Sequence, residues 1–182
     1  MVHYHHSISF FLYIEYLKLL SWAPIVFLSG PSGIGFGIPF LISVLYIFYE
    51  KTASHWKKHG FHLLVLVSIC AIYGFITHKW INDSLHMIAV PDILWPLFVF
   101  LDDDLNIMDA YVGAFISSVI PDAYFGCVAA DWSRYWYCGI GAAGWHDGLF
   151  QVPLTALIDS ALLVYVARPL LSRMRLISFT KI

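Results

Sequence analysis

Long apolar stretches separated by short polar ones dominate the chain. A helix that crosses a bilayer needs roughly 20 mainly apolar residues, and six stretches approach or exceed that length. They cover residues 7–29, 33–49, 61–77, 84–101, 106–130 and 148–167. Because these stretches use most of the 182 residues, the pattern predicts an all-α, polytopic integral membrane protein of about six transmembrane helices, with no room for a separate soluble domain.

Prolines and small residues modify two of these predicted helices. Pro91 and Pro96 each remove a backbone donor, so the fourth helix is predicted to be kinked or broken, and it either spans the bilayer or re-enters. The fifth helix carries small or polar residues at four-residue steps, namely Ala110, Ala114, Ser118 and Asp122. Such a stripe lets membrane helices approach closely, so we expect it to face the interior of the bundle.

Composition and charge favour a lipid environment over nucleic acid. The chain is 60% hydrophobic and 12% charged, with a net charge of -2. It has no basic stripe that would neutralise phosphates, so we predict the bilayer as partner and no nucleic acid. The first stretch carries Glu15 and Lys18, which lie three residues apart and can satisfy one another on a helix. We interpret it as a retained helix rather than a cleaved signal.

Basic residues are unevenly distributed among the polar connections. The connection between the second and third helices and the tail 168–182 are basic, whereas the alternate connections hold only Lys79 and Arg134. The positive-inside rule then places both termini in the cytoplasm and the connection 131–147 outside. The expected location is the inner membrane of a bacterium.

The outward connection 131–147 is rich in aromatic residues. They are Trp132, Tyr135, Trp136, Tyr137 and Trp145. Amphipathic rings favour the headgroup layer, so this connection is predicted to lie along the outer interface. Trp132, Trp136 and Trp145 are also candidates for binding a lipid or sugar substrate.

Three cysteines are too few for a disulfide framework. Cys127 and Cys138 lie near the predicted outward side, where a bridge could persist, and their spacing leaves open whether they are bridged. Cys70 lies inside the third predicted helix, where a cysteine typically behaves as a small buried apolar residue.

A polar stripe runs along the last predicted helix. Its members follow at four-residue steps, from the outer surface to about the bilayer midplane: Asp147, Gln151, Thr155 and Asp159. Two interpretations stay open. The stripe makes interhelical hydrogen bonds, with Asp159 protonated or bonded to a neighbouring serine, or it lines a polar functional cavity.

Histidine and carboxylate residues gather on the predicted outward side. His86, Asp122 and either His146 or Asp147 would converge if their helices are neighbours. These are ligand types for zinc, manganese or iron, and a metal with an open position activates water for hydrolysis. On the opposite face, the acids 102–104 could bind a divalent ion or a basic partner, although a solvated turn is their ordinary interpretation.

Three runs resemble the prokaryotic membrane-bound, metal-dependent hydrolase family. They are "LHMIAV" at 85–90, "GAFISSVIPDAYFG" at 113–126 and "WHDGLFQVPLTALIDSALL" at 145–163. That family carries an early histidine, then a small-residue helix ending in Pro-Asp, then a His-Arg-Gly-type stretch followed by further His and Asp residues.

The resemblance matches four positions of this chain to the functional ones, namely His86, Asp122, His146 and Asp159. Two further ligands of the family pattern are replaced, because Ala123 and Tyr124 follow Pro-Asp here, and Phe150 and Gln151 follow the third element. The resemblance implies metal-dependent hydrolysis, and these replacements put catalysis in question.

The leading functional hypothesis is a metal-dependent hydrolase acting on a lipid-linked or envelope substrate at the outer leaflet. His86, Asp122, His146 and Asp147 would hold a zinc or manganese ion, and Asp122, His146 and Asp159 would serve as catalytic residues around a metal-bound hydroxide.

Two other hypotheses compete with the hydrolase. The protein could be a non-enzymatic subunit that binds other membrane subunits in a secretion or envelope assembly. It could also be a small transporter or channel, with Asp92 and Asp159 forming a proton or cation path.

Overall fold

The computed structural model describes residues 33–49, 52–81, 84–125, 140–141 and 143–173. Several predictions fall outside these residues: the first helix at 7–29, the basic tail beyond 173, Trp132 and Trp136, and the pair Cys127 and Cys138.

The described residues form five long helical segments and one short β-hairpin. The first segment is α1 Ile38–Tyr49, which is preceded by a π-helical turn Gly33–Gly37, and the next three are α2 Thr52–Thr77, α3 Pro91–Leu101 and α4 Ile107–Ala123. The fifth segment begins after a 3-10 turn Gly144–His146 and consists of α5 Gly148–Leu162, a π-helical turn Leu163–Ala167 and α6 Arg168–Arg173. The hairpin lies between α2 and α3 and consists of β1 Lys79–Ile81 and β2 Ser84–His86. The segments from α5 to α6 follow without interruption and make one continuous helix of 26 residues.

The predicted all-α architecture is confirmed within the described residues, where five helical segments are seen rather than six. Three bounds differ from the prediction. Helix α2 begins at Thr52 rather than at residue 61, and the last helix continues to Arg173 rather than ending at residue 167. The start of the fourth stretch is not helical, because β1 and β2 pair antiparallel with Lys79 opposite His86. Helix α3 therefore begins at Pro91 rather than at residue 84. Proline is well suited to the first helical turn, where its missing N–H leaves no hydrogen bond unmade. With 11 residues, α3 is about 16 Å long, roughly half the thickness of a bilayer core.

Two helices in the described part of the chain are long and apolar enough to cross a membrane. They are Lys58–Thr77 and Gly148–Arg173, and only 28% and 22% of their apolar windows are buried inside the bundle. Large apolar side chains such as Phe61, Ile76 and Leu162 are more than half exposed. Length and composition make both helices compatible with a lipid environment.

Helix α4 packs against α1, α2, α3 and α5, and most of its residues are buried. Helix α3 packs against α2, α4 and α5. Its residues Trp95 and Val99 are fully buried. The predicted small-residue stripe of α4 is buried as expected, at Ala110, Ala114, Ser118 and Asp122. The stripe lets α4 approach its neighbours closely, as small residues do in helix interfaces.

The closest approach between α3 and α4 occurs at Trp95 and Gly113. A Cβ atom on Gly113 would lie 2.3 Å from Cζ2 of the indole ring, so only glycine fits there. The ring is also held by hydrogen bonds. Trp95 Nε1 donates to Ser117 Oγ at 3.1 Å, and Ser117 Oγ donates to the Gly113 carbonyl at 2.7 Å.

This contact gives a first prediction, for the substitution Gly113→Ala. The added methyl group would collide with Trp95, and overpacking of this kind costs about 1–3 kcal/mol. We expect the thermal unfolding midpoint of the detergent-solubilised protein to fall. Gly60→Ala is the matched control, because nothing lies within 4 Å of a Cβ at Gly60. A helical alanine there should leave the midpoint unchanged or raise it slightly. Equal midpoints for the two variants would contradict the tight α3–α4 contact.

Candidate metal centre

Charged side chains from three elements meet at the end of the bundle where α3 gives way to α4. We call it the His59 end. Helix α2 supplies Lys58 and His59, the connection supplies the acids 102–104, and α6 supplies Arg168. The opposite end of the bundle, where α4 ends and α5 begins, is called the Asp122 end.

A tight turn fixes the conformation of the three acids. The N–H of Asp102 donates to the Phe98 carbonyl at 3.0 Å and closes the last turn of α3. Asp102 Oδ1 accepts from the N–H of Asp104 at 3.0 Å, as aspartate side chains commonly do in turns. One oxygen of Asp102 is thus engaged in the turn, and Oδ2 is the oxygen that lies near α2.

Three donor atoms converge at this point. His59 Nδ1 lies 3.3 Å from Asp102 Oδ2, and His59 Nε2 lies 3.8 Å from Asp104 Oδ2. One donor atom from each of the three residues lies within 4.8 Å of the others. The side chain of His59 is 11% exposed and that of Asp104 is 48% exposed. The group is therefore buried in the bundle at His59 and open to solvent at Asp104, and it could hold a metal ion.

Two cations flank this group. Lys58 Nζ forms an ion pair with Asp104, and the Arg168 guanidinium forms one with Asp103. Arg168 also donates to the carbonyls of Val99 at 3.0 Å and of Phe100, and it lies over the Phe100 ring. Arg168 thereby satisfies carbonyls that end α3 without an intrahelical partner. Asp103 faces Arg168 and is separate from the three converging donors.

The start of α4 is fixed by a capping box next to the group. Asn106 Oδ1 accepts from the N–H of Met108 at 2.6 Å, and Asp109 Oδ2 accepts from the N–H of Asn106 at 2.9 Å. Tyr46 Oη donates to Asp109 Oδ1 at 3.2 Å, which ties α1 to the same turn. Asp109 is only 2% exposed, so its hydrogen bonds offset the cost of burying a carboxylate. The connection 102–106 is consequently held at both of its ends.

The residues predicted as an outward metal site lie at the Asp122 end. Asp122 is 7% exposed in the last turn of α4, and its Oδ2 has no hydrogen-bond partner among the described residues. Asp147 begins α5, where its Oδ1 accepts from the N–H of Leu149 at 3.0 Å. His86 and His146 are both exposed.

Burial raises the pKa of the Asp147 carboxyl above its usual range. The hydrogen bonds from the N–H groups of Leu149 and Ala143 act in the opposite direction, because they stabilise the ionised form. Asp147 is therefore a helix cap whose charge is costly in its surroundings.

Within the described residues, three metal-ligating side chains converge only at the His59 end. His86, Asp122, His146 and Asp147 do not form such a group, so their assignment as a metal site stays a prediction, as does the catalytic role of Asp122, His146 and Asp159. Trp145 is 57% exposed and contacts Phe150 edge-on at a ring distance of 4.8 Å. Its role in substrate binding likewise stays a prediction.

The polar stripe of α5 divides into separate roles. Gln151 Nε2 donates to the Trp145 carbonyl at 3.1 Å. Thr155 Oγ1 lies 2.6 Å from Asp92 Oδ1 on α3 and donates to it, which is an interhelical hydrogen bond of the expected kind. Asp159 is exposed and forms no hydrogen bond or ion pair within the described residues.

The sequence indicated one half of the His59 group and missed the other. The acids 102–104 were visible as a possible divalent-ion site, whereas His59 was only part of a basic connection. The sequence does offer one indication, because the positive-inside rule predicts that the connection carrying His59 and the connection carrying the acids 102–104 lie on the same side of the membrane. Their convergence on α2 depends on how α3 packs.

Comparison with protein-family models, with curated proteins and with solved structures found no match for this chain. The resemblance to the membrane-bound hydrolase family therefore rests on the quoted residues alone and stays a prediction.

The contacts of Arg168 give a second prediction. Arg168→Met keeps the apolar stem but removes the donors to Val99, Phe100 and Asp103, and charged hydrogen bonds of this kind contribute about 1.5–3 kcal/mol. We expect a lower unfolding midpoint in detergent. Arg173→Met is the matched control, since Arg173 is exposed in the last turn of α6. If Arg168→Met and Arg173→Met lower the unfolding midpoint equally, the loss of a positive charge is responsible, and not the loss of the hydrogen bonds from Arg168 to α3.

Proposed function

We propose that the protein is an integral membrane protein that binds a divalent metal ion at the cytoplasmic end of its helices, through His59, Asp102 and Asp104. The observation that carries the proposal is the convergence of three donor atoms within 4.8 Å on two separate elements. The membrane location is supported by two long apolar helices, of whose apolar windows only 28% and 22% are buried.

The chemistry of the donors fits a small set of metals. One imidazole and two carboxylates suit zinc, manganese or ferrous iron. Three protein ligands leave at least one coordination position for water, which is the arrangement that metal-dependent hydrolases use. The proposed reaction class is therefore still hydrolysis, now at the His59 end. A lipid-linked substrate would then be reached from the cytoplasmic side rather than at the outer leaflet. The exposed edge at Asp104 is where a water molecule or substrate would enter.

Metal binding would also have a structural effect. His59 belongs to α2, whereas Asp102 and Asp104 belong to the α3–α4 connection, so one ion would cross-link two elements. A metal must compete with Lys58 for Asp104, because the two side chains are already paired. Binding to the folded protein alone stabilises it, by about 2.7 kcal/mol when the free metal is at 100 times its dissociation constant.

The third prediction concerns metal binding itself. We expect the purified protein in detergent to bind about one equivalent of Zn²⁺ or Mn²⁺ by isothermal titration calorimetry, with a rise in the unfolding midpoint. His59→Ala and Asp102→Asn should weaken binding by more than about 100-fold, because even residues that only support a metal ligand contribute about 10- to 100-fold.

Asp103→Asn is the control for this experiment. It removes one carboxylate from the same turn, but that carboxylate pairs with Arg168 rather than with His59. Binding by the control should stay within a few-fold of the unaltered protein. If Asp103→Asn and Asp102→Asn weaken binding equally, the turn is a diffuse acidic surface and the proposed site is wrong. The absence of any stoichiometric binding by the unaltered protein would have the same consequence.

A further inference from the structure

Lys58 lies beside the candidate metal centre without supplying a metal ligand. Its Nζ forms an ion pair with Asp104 Oδ2, the same oxygen that lies 3.8 Å from His59 Nε2. A metal ion at the centre would have to share that oxygen with the Lys58 ammonium or displace it. Two cations on one oxygen repel one another, so we expect the ion to take the oxygen and the ammonium to move away.

The displaced ammonium would stay at the open side of the centre. The side chain of Lys58 is 65% exposed and that of Asp104 is 48% exposed, whereas that of His59 is 11% exposed. Lys58 and His59 are consecutive residues of α2, so the ammonium remains within a side-chain length of the metal. Within the described residues, Lys58 pairs with no carboxylate other than Asp104. Metal binding would therefore leave an ammonium that can receive another anion.

The charge of the His59 end favours an anion only after the metal binds. The side chains that define this end include two cations, Lys58 and Arg168, and the three carboxylates 102–104. With His59 neutral, as a metal ligand must be, they carry one net negative charge. A divalent ion changes this to one net positive charge. Anions should thus be repelled by the metal-free centre and attracted by the metal-loaded one.

The position of the centre in the membrane indicates which anion it would meet. The part of α2 that is long and apolar enough to cross a membrane begins at Lys58, and the corresponding part of the last helix ends at Arg173, five residues after Arg168. These ends place the centre at the level of the lipid headgroups on the cytoplasmic side. Phosphate is the anionic group that lipid headgroups carry.

A phosphate group also suits the two cations that would face it. It has several oxygens, so one can take the open coordination position of the metal while another accepts a hydrogen bond from the Lys58 ammonium. Metal ions and lysines act together in this way on the phosphoryl groups of substrates.

We propose that the metal-loaded His59 end binds a phosphate group between the metal ion and the Lys58 ammonium, and that Lys58 occupies Asp104 until the metal binds. This inference rests on the metal binding given under the proposed function. It narrows the substrate class to compounds that carry a phosphomonoester, either as a lipid headgroup or in a soluble molecule. Since the two binding events are linked, phosphate should tighten metal binding by the factor by which the metal tightens phosphate binding.

The substitution Lys58→Met should have opposite effects on the two ligands. Metal binding should become about two- to five-fold tighter, because the ion no longer competes with an exposed ion pair. Binding of inorganic phosphate to the Mn²⁺-loaded protein should become about ten-fold weaker, because a charged hydrogen-bond donor is lost. Both are measured in detergent, metal binding by isothermal titration calorimetry and phosphate binding by the broadening of its phosphorus NMR signal by bound Mn²⁺.

Two further variants serve as controls. Lys79→Met removes an exposed lysine of the β-hairpin and should change neither dissociation constant. Lys58→Arg keeps a positive charge that binds phosphate, so phosphate binding should stay within a few-fold of that of the unaltered protein.

The possible results separate this inference from the proposed function. If the protein binds metal but the metal-loaded form binds no phosphate, the phosphate site is wrong and the metal centre stands. Equal phosphate binding by Lys58→Met and the unaltered protein, or equal binding with and without metal, would also overturn the phosphate site. If no metal binds, the proposed function is wrong and this inference fails with it.

Nanodiscs identify the source of the phosphate group. The Mn²⁺-loaded protein is reconstituted in phosphatidylcholine with added phosphatidic acid, whose headgroup is a phosphomonoester, or with added phosphatidylglycerol, an anionic phosphodiester that controls for surface charge. Weaker binding of inorganic phosphate with phosphatidic acid alone would show that a lipid headgroup occupies the site. Equal binding in both nanodiscs would assign the site to a soluble phosphate compound. Both results support the phosphate site.

Discussion

The close contact between α3 and α4 at Trp95 and Gly113 is the constraint on which the rest of the structure depends. The indole fills the space that any other residue at 113 would occupy, and its N–H is held by Ser117. Because the contact fixes the position of a helix of only 11 residues, it also fixes where that helix ends. The acids 102–104 follow directly, so their position beside His59 is a consequence of packing in the bundle core.

Opposite charges then secure the end of α3. Arg168 reaches from α6 to the carbonyls of Val99 and Phe100, and the ion pair with Asp103 keeps its charge balanced. Lys58 forms an ion pair with Asp104 on the other side of the turn. These pairs support the turn beside the imidazole and the two carboxylates, and Lys58 occupies the Asp104 oxygen for which a metal ion would have to compete. That combination of a rigid support and an open edge is what a metal centre with exchangeable ligands requires.

The sequence predicted the helical architecture well because long apolar runs leave little alternative. Its failures come from features that depend on distant residues. The sequence predicts a helix from residue 84, but β1 and β2 pair with one another, and helix α3 begins only at Pro91. For the site, a histidine and two carboxylates that could hold a metal ion meet at the His59 end, whereas the assignment of His86, Asp122, His146 and Asp147 as a metal site stays a prediction. Histidines and acids near the Asp122 end share a side of the bundle without converging, since helix faces and turn conformations decide which donor atoms meet.

By itself, the sequence determined the membrane-like composition, the approximate helices, the buried stripe of α4 and the polar residues that need partners. Each of these follows from local pattern, because hydrophobic periodicity and the cost of buried charge act on neighbouring residues. Only the tertiary structure decided that His59 meets Asp102 and Asp104, that Thr155 meets Asp92, and that Asp159 is left on an exposed face. Those outcomes depend on the packing of helices that are far apart in the chain, and no local pattern specifies which faces will touch.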